Sequence, residues 1–582
     1  MKTIDLEAIE KLYYDFIIQG KEGAKVTVTK DNLDVADCAD LTTGDTEENL
    51  NAERISADTF LRGEVAILEL AGGSGARLKK PYPKIRFQAS QVMNKSLGRM
   101  RAERIRALAE YYGKPIPWII MTSDVTHAQT IKFFEEHIEN GKYFNQIPIE
   151  WVKFVLQRVM PQITQQGEFI LGGTEAELPD KPEQAKENAR FHIAVGGFGH
   201  GDARDWVLRD NEVRRWLKGF GIKYIIIANV DNAYLPPPRA LGYHILSEKQ
   251  IKTGIEHLST VVVEKTGPKE SVGMAVQLNG QDALIEYSQV PAELAHLKYV
   301  YTIDHEKVIF LKDDLSRYHM LSLEDYLSRY TQAITEPKAY EEWVTKHLIG
   351  IEELPDGFKY SFLGRDYEKK ILLQWAKLWL RLGNTNNLIF SLSSFEDEEH
   401  PLKGLPVVVA RNKEIDGYHP EALEHNTKKS GKLKAHKFEI MAFHGFLVGT
   451  MKGARVIVDR AGGFAPIKNE TGVDTPQTAF ELYTKYESGM LNTLCHWYVT
   501  KGGVVELSPA FAFIDVRYLP EKVGENGYVE HGAELYLSGK NTTIGKNFYL
   551  CGSCQFILRV NDEYNEGAKA VVGDNVRIEG HI

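Results

Sequence analysis

A chain of 582 residues is too long for one ordinary hydrophobic core, so it predicts two to four packed units. Hydrophobic residues at 43%, charged residues at 26% and aromatic residues at 10% are ordinary globular values, and they exclude a collagen-like, disordered or membrane-spanning chain. A formal net charge of -10 excludes broad attraction to nucleic acid or anionic membranes, so any phosphate ligand requires a local basic site.

The first sixty residues read as an acidic lead-in with one amphipathic helix around Leu6 to Ile17, giving an accessory segment over 1–62. The start, Met1-Lys2-Thr3-Ile4-Asp5, lacks the apolar run of a signal peptide. Four scattered cysteines, Cys38, Cys495, Cys551 and Cys554, do not make a disulfide framework, and together these features predict a cytoplasmic protein.

From Val65 the texture changes. The apolar run Val65 to Leu70 predicts a buried strand feeding a glycine-rich turn, and the 3.6-residue pattern Leu97, Met100, Ile105, Leu108, Tyr112 predicts a helix that stops at Gly113. A strand at Trp118 to Met121, a helix over roughly Trp206 to Phe220 and a strand at Tyr224 to Val230 follow. Alternating strands and helices predict an α/β fold with a doubly wound, mostly parallel Rossmann-like sheet, filling a domain over 63–500. Ligands of such sheets bind at the carboxyl ends of the strands, which puts weight on the residues just after Leu70, Met121, Val230 and Val263. In the last sixty residues, short runs such as Glu534 to Gly539 and Asn575 to Gly580 alternate with glycine and asparagine turns, which predicts a β-helix-like domain over 501–582.

The loop Ala71-Gly72-Gly73-Ser74-Gly75-Ala76-Arg77-Leu78, followed by Pro81-Tyr82-Pro83-Lys84, lets backbone N–H groups approach a nucleotide while Arg77 and Lys84 hold its outer phosphates. It is neither a Walker loop nor a G-x-G-x-x-G fingerprint, and taken alone it also fits a tight strand-to-helix turn with solvated basic residues.

This stretch resembles the L-x-G-G-x-G-T-R-L…P-K motif of the eukaryotic-type UDP-sugar pyrophosphorylases, and further motifs follow in that family's order. Met121-Thr122-Ser123-Asp124-Val125-Thr126-His127, Gln157 with Pro161, Gly199-His200-Gly201-Asp202, Asp231-Asn232, Val263-Glu264-Lys265-Thr266 with Val272-Gly273, and Glu286-Tyr287-Ser288 are each similar to a family segment. So are Gly383-Asn384-Thr385-Asn386-Asn387-Leu388 and Phe464-Ala465-Pro466-Ile467-Lys468-Asn469.

The resemblance implies a nucleotidyltransferase-type sheet, a left-handed parallel β-helix at the C-terminus, and transfer of UMP from UTP to a sugar 1-phosphate, yielding a UDP-sugar and pyrophosphate. Arg77 and Lys84 are expected on the β and γ phosphates, and Lys468 on the sugar phosphate or α-phosphate. Asp231 is expected to ligate Mg2+. Gly72, Gly73, Gly75, Gln157 and Gly199 are expected to hold the nucleotide, with His200 near its phosphates. Glu264, Gly273, Glu286, Asn384 and Asn387 are expected around the sugar, with glucose 1-phosphate or a broad hexose range preferred over N-acetylhexosamine.

No nucleic acid or membrane partner is expected, and β-helix edges suit homo-oligomer formation. Two departures, Ala76 for threonine and Lys79 for glycine, also admit a catalytically impaired sensor or scaffold, which the retained Arg77, Lys84, Asp231 and Lys468 argue against. Cys551-Gly552-Ser553-Cys554 lacks the second pair of a zinc site, and Glu396-Asp397-Glu398-Glu399-His400 reads as a solvated loop.

Overall fold

The computed structural model describes residues 6–19, 28–29, 31–73, 75–90, 92–171, 193–249, 255–267, 270, 272–295, 300–303, 306–312, 318–322, 351–354, 357–362, 365–369, 380–396, 404–416, 432–508, 519–539, 541–559 and 568–580. Two compact units emerge: Met1–Ala24, Asp40–Val261 and Asn386–Ile582 form the first, and Lys25–Ala39 with Val262–Thr385 the second.

The first unit is built on a sheet of strands β1 (Val65–Leu70), β2 (Trp118–Thr122), β3 (Val152–Leu156), β4 (Tyr224–Asn229), β5 (Glu256–Glu264, to Val261 in this unit), β6 (Leu382–Ser391, from Asn386) and β7 (Arg455–Ile457). Every residue of β1 and β2 is buried, as interior strands covered on both faces require. The order is β3-β2-β1-β4, all parallel, followed by β6 running antiparallel to β4, then β5 and β7. In this register Leu70 lies opposite both Met121 and Asn229, so the loops leaving β1, β2 and β4 emerge side by side. The result is a mixed α/β unit with a parallel-dominated sheet.

Its helices include α1 (Glu47–Leu61), α2 (Leu97–Tyr112), α3 (Asn211–Gly219), α4 (Pro238–Glu248) and α5 (Pro476–Cys495). The Ser96 hydroxyl caps α2 by accepting from Arg99 N–H, and Gly113, at φ 63°, closes its end. The helix expected to start near Trp206 starts at Asn211 instead. Asp210 accepts from the N–H groups of Glu212 and Val213, and a separate π-turn at Ala203–Val207 precedes it. Within the 1–62 segment, α1 packs on α4, where the Tyr243 hydroxyl donates to Asn49 Oδ1 at 2.7 Å and Arg239 pairs with Glu53 at 2.6 Å.

Toward the C-terminus, short strands stack in three parallel ladders. Tyr498–Val499, Tyr528–Val529, Tyr549–Cys551 and Arg577–Glu579 form one, Val504–Leu507, Glu534–Ser538 and Gln555–Arg559 the second, and Thr542–Ile544 with Ala570–Val572 the third. They share a core of Trp497, Val529, Leu535, Phe548 and Leu550, which Leu491 and Cys495 of α5 also enter. A buried knot ties the second ladder to the segment before α2: Lys95 Nζ donates to Tyr536 Oη at 2.6 Å and pairs with Glu103 at 3.0 Å and Glu506 at 3.5 Å.

In the second unit, Leu33–Val35 pairs with the hairpin Met274–Leu278/Gln281–Ile285, and Met274 also lies opposite Gly383. Two antiparallel meanders, at Val300–Ile303 through Tyr318–Ser322 and at Ile351–Leu354 through Arg365–Lys369, belong to the same unit. Among the described residues, no helix is long and apolar enough to cross a membrane.

Candidate active site

The loops leaving β1, β2 and β4 enclose a cleft of about 410 Å³ in the first unit. Gly72 and Gly73 form one wall. The segment after β2 holds this wall in shape, because Ser123 Oγ donates to the Gly72 carbonyl at 2.8 Å and Thr126 Oγ1 to that of Ala71 at 3.3 Å. Gln157, just beyond β3, lies across the cleft between two glycines: a Cβ on Gly72 would meet its Nε2 at 2.9 Å, and one on Gly197 at 2.1 Å. The amide slot therefore exists only because both neighbours lack side chains.

Gly199 adopts φ +100°, and a Cβ there would stand 2.3 Å from the Ile440 carbonyl, so this loop is pressed against the strand Lys432–Ile440. Asp202 anchors the loop. Its carboxylate accepts from Arg158 N, Nε and Nη2 at 2.7, 2.9 and 2.6 Å. His200 lines the cleft, and its Nδ1 accepts from Ala442 N–H at 3.2 Å. An accepting Nδ1 fixes the neutral tautomer with Nε2–H as donor, and desolvation pushes the imidazolium pKa down to about 4. His200 thus brings a hydrogen-bond donor and no positive charge at neutral pH.

At the end of β4, Asp231 faces Lys84 from the β1 side, with Lys84 Nζ 3.5 Å from Asp231 Oδ2. Both side chains are nearly buried, and Asp231 Oδ1 has no hydrogen-bond partner among the described residues. A buried carboxylate oxygen left unpaired is costly, which makes this position suited to a cation. Among the described residues, no group of three or more His, Cys, Asp or Glu converges, so a divalent ion here would take one carboxylate and complete its shell from phosphate oxygens and water.

The turn carrying Asp231 is held from behind. Arg101 of α2, paired with Glu69 at 3.3 Å, donates to the carbonyls of Asn229, Asn232 and Tyr234 at 3.2, 2.7 and 3.2 Å. The Asn232 amide donates to the Gly463 carbonyl and accepts from Ala465 N–H, while Ile467 N–H donates to the Asp231 carbonyl at 2.8 Å. Lys468, the next residue, lies outside the cleft lining, with its ammonium 3.3 Å from Asp474 Oδ2 and over the Phe464 ring.

Arg77 and Gly75 lie outside the cleft lining. Arg77 is exposed, and Gly75, at φ +76°, turns the chain from the glycine loop toward Lys84. In the second unit, Gly273, Glu286 and Asn384 come together: Asn384 N–H donates to the Gly273 carbonyl at 2.7 Å, and a Cβ on Gly273 would lie 3.9 Å from both Glu286 Oε1 and Asn384 Cβ. Glu264 pairs with Arg381 at 3.4 Å in the same unit. Asn387 is completely buried in β6, whereas Asn386, at φ 57°, lines the first unit's cleft and donates to Asn229 Oδ1 at 3.2 Å.

Lys437 was not legible as a site residue. It lines the cleft from the strand Lys432–Ile440, with Nζ 2.5 Å from Glu439 Oε1. Its neighbourhood, Lys434-Ala435-His436-Lys437-Phe438-Glu439, offers only alternating charge as a signal.

Residues 10–307 match the family described as UTP–glucose-1-phosphate uridylyltransferase. UDP-N-acetylhexosamine pyrophosphorylase-like protein 1 of Mus musculus is 32% identical over 259 residues, 43% of this chain and 45% of that protein. UDP-N-acetylglucosamine pyrophosphorylase of Saccharomyces cerevisiae is 30% identical over 250 residues, 42% of this chain and 46% of that protein. The matched part thus spans less than half the length of these curated relatives. The solved structure of a Trypanosoma brucei uridine diphosphate N-acetylglucosamine pyrophosphorylase in complex with inhibitor has the same fold, with a TM-score of 0.53 at 20% identity over 88% of this chain and 86% of that one.

Proposed function

Because the chain belongs to the UTP–glucose-1-phosphate uridylyltransferase family, we propose that it transfers UMP from UTP to a sugar 1-phosphate and releases pyrophosphate. The observation that carries this reading is the Lys84–Asp231 pair, 3.5 Å apart in a cleft whose other wall is the Gln157 slot. The slot takes the uracil edge, since an amide both donates and accepts. The cleft also holds Lys437, giving a second cation for the phosphates.

Attack of a sugar-phosphate oxygen on the α-phosphorus joins two anions. The protein's work is therefore to hold them in line and neutralise charge on the leaving pyrophosphate. Lys84 and Lys437 supply fixed positive charge, and the neutral His200 donates a hydrogen bond through Nε2–H. Lys468 turns from Asp474 to the sugar phosphate or α-phosphate, and the exposed Arg77 reaches the outer phosphates. Asp231 would hold Mg2+, which when bound offsets phosphate charge that lysines alone leave uncompensated. The sugar hydroxyls are assigned to Glu286 and Asn384.

Two finer readings belong here. The names of the relatives in mouse and yeast favour an N-acetylhexosamine 1-phosphate over the glucose 1-phosphate expected from the loop motifs. The three stacked parallel ladders support a β-helix at the C-terminus. Lys79 weakens the impaired-enzyme alternative: it takes φ 50°, the left-handed conformation natural to glycine, and its exposed ammonium pairs with Glu470 at 2.6 Å.

The test is pyrophosphorolysis. With Mg2+ and pyrophosphate, UTP should form faster from UDP-N-acetylglucosamine than from UDP-glucose, and Lys84→Ala should abolish it. Absence of UTP from every UDP-sugar offered, with UTP still bound, would reject the enzyme reading in favour of a sensor.

A further inference from the structure

Two charges interrupt the apolar packing behind the Asp231 turn, and the proposed reaction uses neither. In β1, where all six residues are buried, Glu69 is the one residue that is not apolar. Arg101, among the buried residues of α2, lies against it, with Nε 3.3 Å from Glu69 Oε1 and both side chains 1% exposed. Trp118 of β2 donates through Nε1 to the other Glu69 oxygen at 3.0 Å, so the carboxylate is held from two sides.

A buried ion pair is weak evidence for stability, because the desolvation of both charges can cost more than their attraction returns, and apolar residues of similar volume often serve a fold as well. An apolar pair could not supply the rest of the guanidinium's bonding. That group is a rigid planar fork of N–H donors. Beyond the bond to Glu69, Nη1 donates to the Tyr234 carbonyl at 3.2 Å, and Nη2 donates to those of Asn229 at 3.2 Å and Asn232 at 2.7 Å. These carbonyls stand on both sides of Asp231 in the chain. One rigid plane therefore fixes the path of the backbone into and out of a residue that lines the cleft.

Resting on the reading of Asp231 as the Mg2+ ligand, we propose that Arg101 is a positioning residue for that cation site, with Glu69 and Trp118 fixing the orientation of its guanidinium. Arg101 acts through the backbone of the turn and touches neither metal nor substrate. Mg2+ demands near-octahedral geometry, so a carboxylate displaced by a loosened turn binds it more weakly.

The experiment is calorimetric titration of the full chain with UTP, once in EDTA and once in saturating Mg2+. The ratio of the two affinities reports the metal's share of binding. In the wild type Mg2+ should raise the affinity, and Asp231→Ala should remove that gain. Glu69→Leu/Arg101→Met, which removes both charges together, should lower the gain about 10- to 100-fold while leaving the affinity in EDTA unchanged. Arg101→Lys keeps a charge beside Glu69 but not the fork, so it should lose the gain as well and serves if the double variant fails to fold. Urea unfolding of each variant separates a lost metal site from a lost fold.

A gain of wild-type size in either folded variant would overturn the proposal and leave Arg101 a role in the fold alone. A gain that depends on Asp231 and on Arg101, in a protein that forms no UTP from any UDP-sugar, would reject the transferase reading and support the positioning role. No gain in the wild type, or one that Asp231→Ala leaves intact, would overturn both the metal assignment and the proposal.

Discussion

At the scale of single residues, the cleft separates groups that neutralise charge from groups that set shape. Replacing Lys84 or Asp231 by alanine should lower kcat by about 100- to 1000-fold, as for other preorganised charge-stabilising groups, measured by steady-state pyrophosphate release. Lys437→Ala should raise the KM for UTP about tenfold, the loss of one charge-assisted contact of roughly 1.5 kcal/mol, with a smaller change in kcat. The cleft position of Asp231 was legible because it follows β4, where a parallel sheet exposes its loops, and that of Lys84 because it is a basic residue after the glycine loop, whereas Gln157 and His200 stood out only through the family resemblance. Lys437 was not legible, since its place depends on the strand Lys432–Ile440 pairing with Ile163–Thr164, a contact between segments far apart in the chain. The charge of His200 was equally hidden, because it depends on the burial of the ring in the folded chain.

At the scale of elements, two glycines two positions apart predict opposite outcomes. In Gly197→Ala the new methyl meets the far end of the Gln157 side chain, which can swing aside. The variant should keep its thermal stability but bind UTP more weakly, as fluorescence titration would report. In Gly199→Ala the methyl meets the Ile440 backbone at a φ of +100°, and neither can yield without moving a strand. That variant should lose about 2–3 kcal/mol in urea unfolding. Strand positions were readable from their apolar runs, because strands buried on both faces leave a continuous signal. The start of α3 was not, since Trp206 and Val207 continue the apolar pattern through a π-turn and only the Asp210 cap marks the true beginning.

At the scale of the whole molecule, buried histidines couple folding to pH. His244 lies fully buried against His257, with ring centroids 3.7 Å apart, and its two nitrogens are engaged by Ser259 and Ser391. Desolvation pushes its pKa well below the usual value, with the neighbouring His257 adding to the effect, and desolvation likewise pushes buried His444 down to about 4. A histidine depressed in the folded state binds its proton more readily when unfolded, so the stability each confers is complete above pH 6.5 and drains as pH falls below it. Each should cost about 1.4 kcal/mol per pH unit under 6.5, down to about pH 4 for His444. Urea midpoints should therefore drop between pH 7 and pH 5, and His444→Gln should reduce the slope.

The knot around Lys95 sets a schedule for making the protein. Lys95 and its phenol partner Tyr536 are separated by 441 positions. At a synthesis rate of roughly 5–20 residues per second, the lysine leaves the ribosome about 20–90 s before Tyr536 exists. For that interval the segment leading into α2 holds an ammonium that finds Glu103 nearby but not Glu506 or Tyr536. The segment leading into α2 therefore acquires this brace only after the first two strands of the second parallel ladder have been translated, and a nascent chain halted before Glu506 lacks both partners.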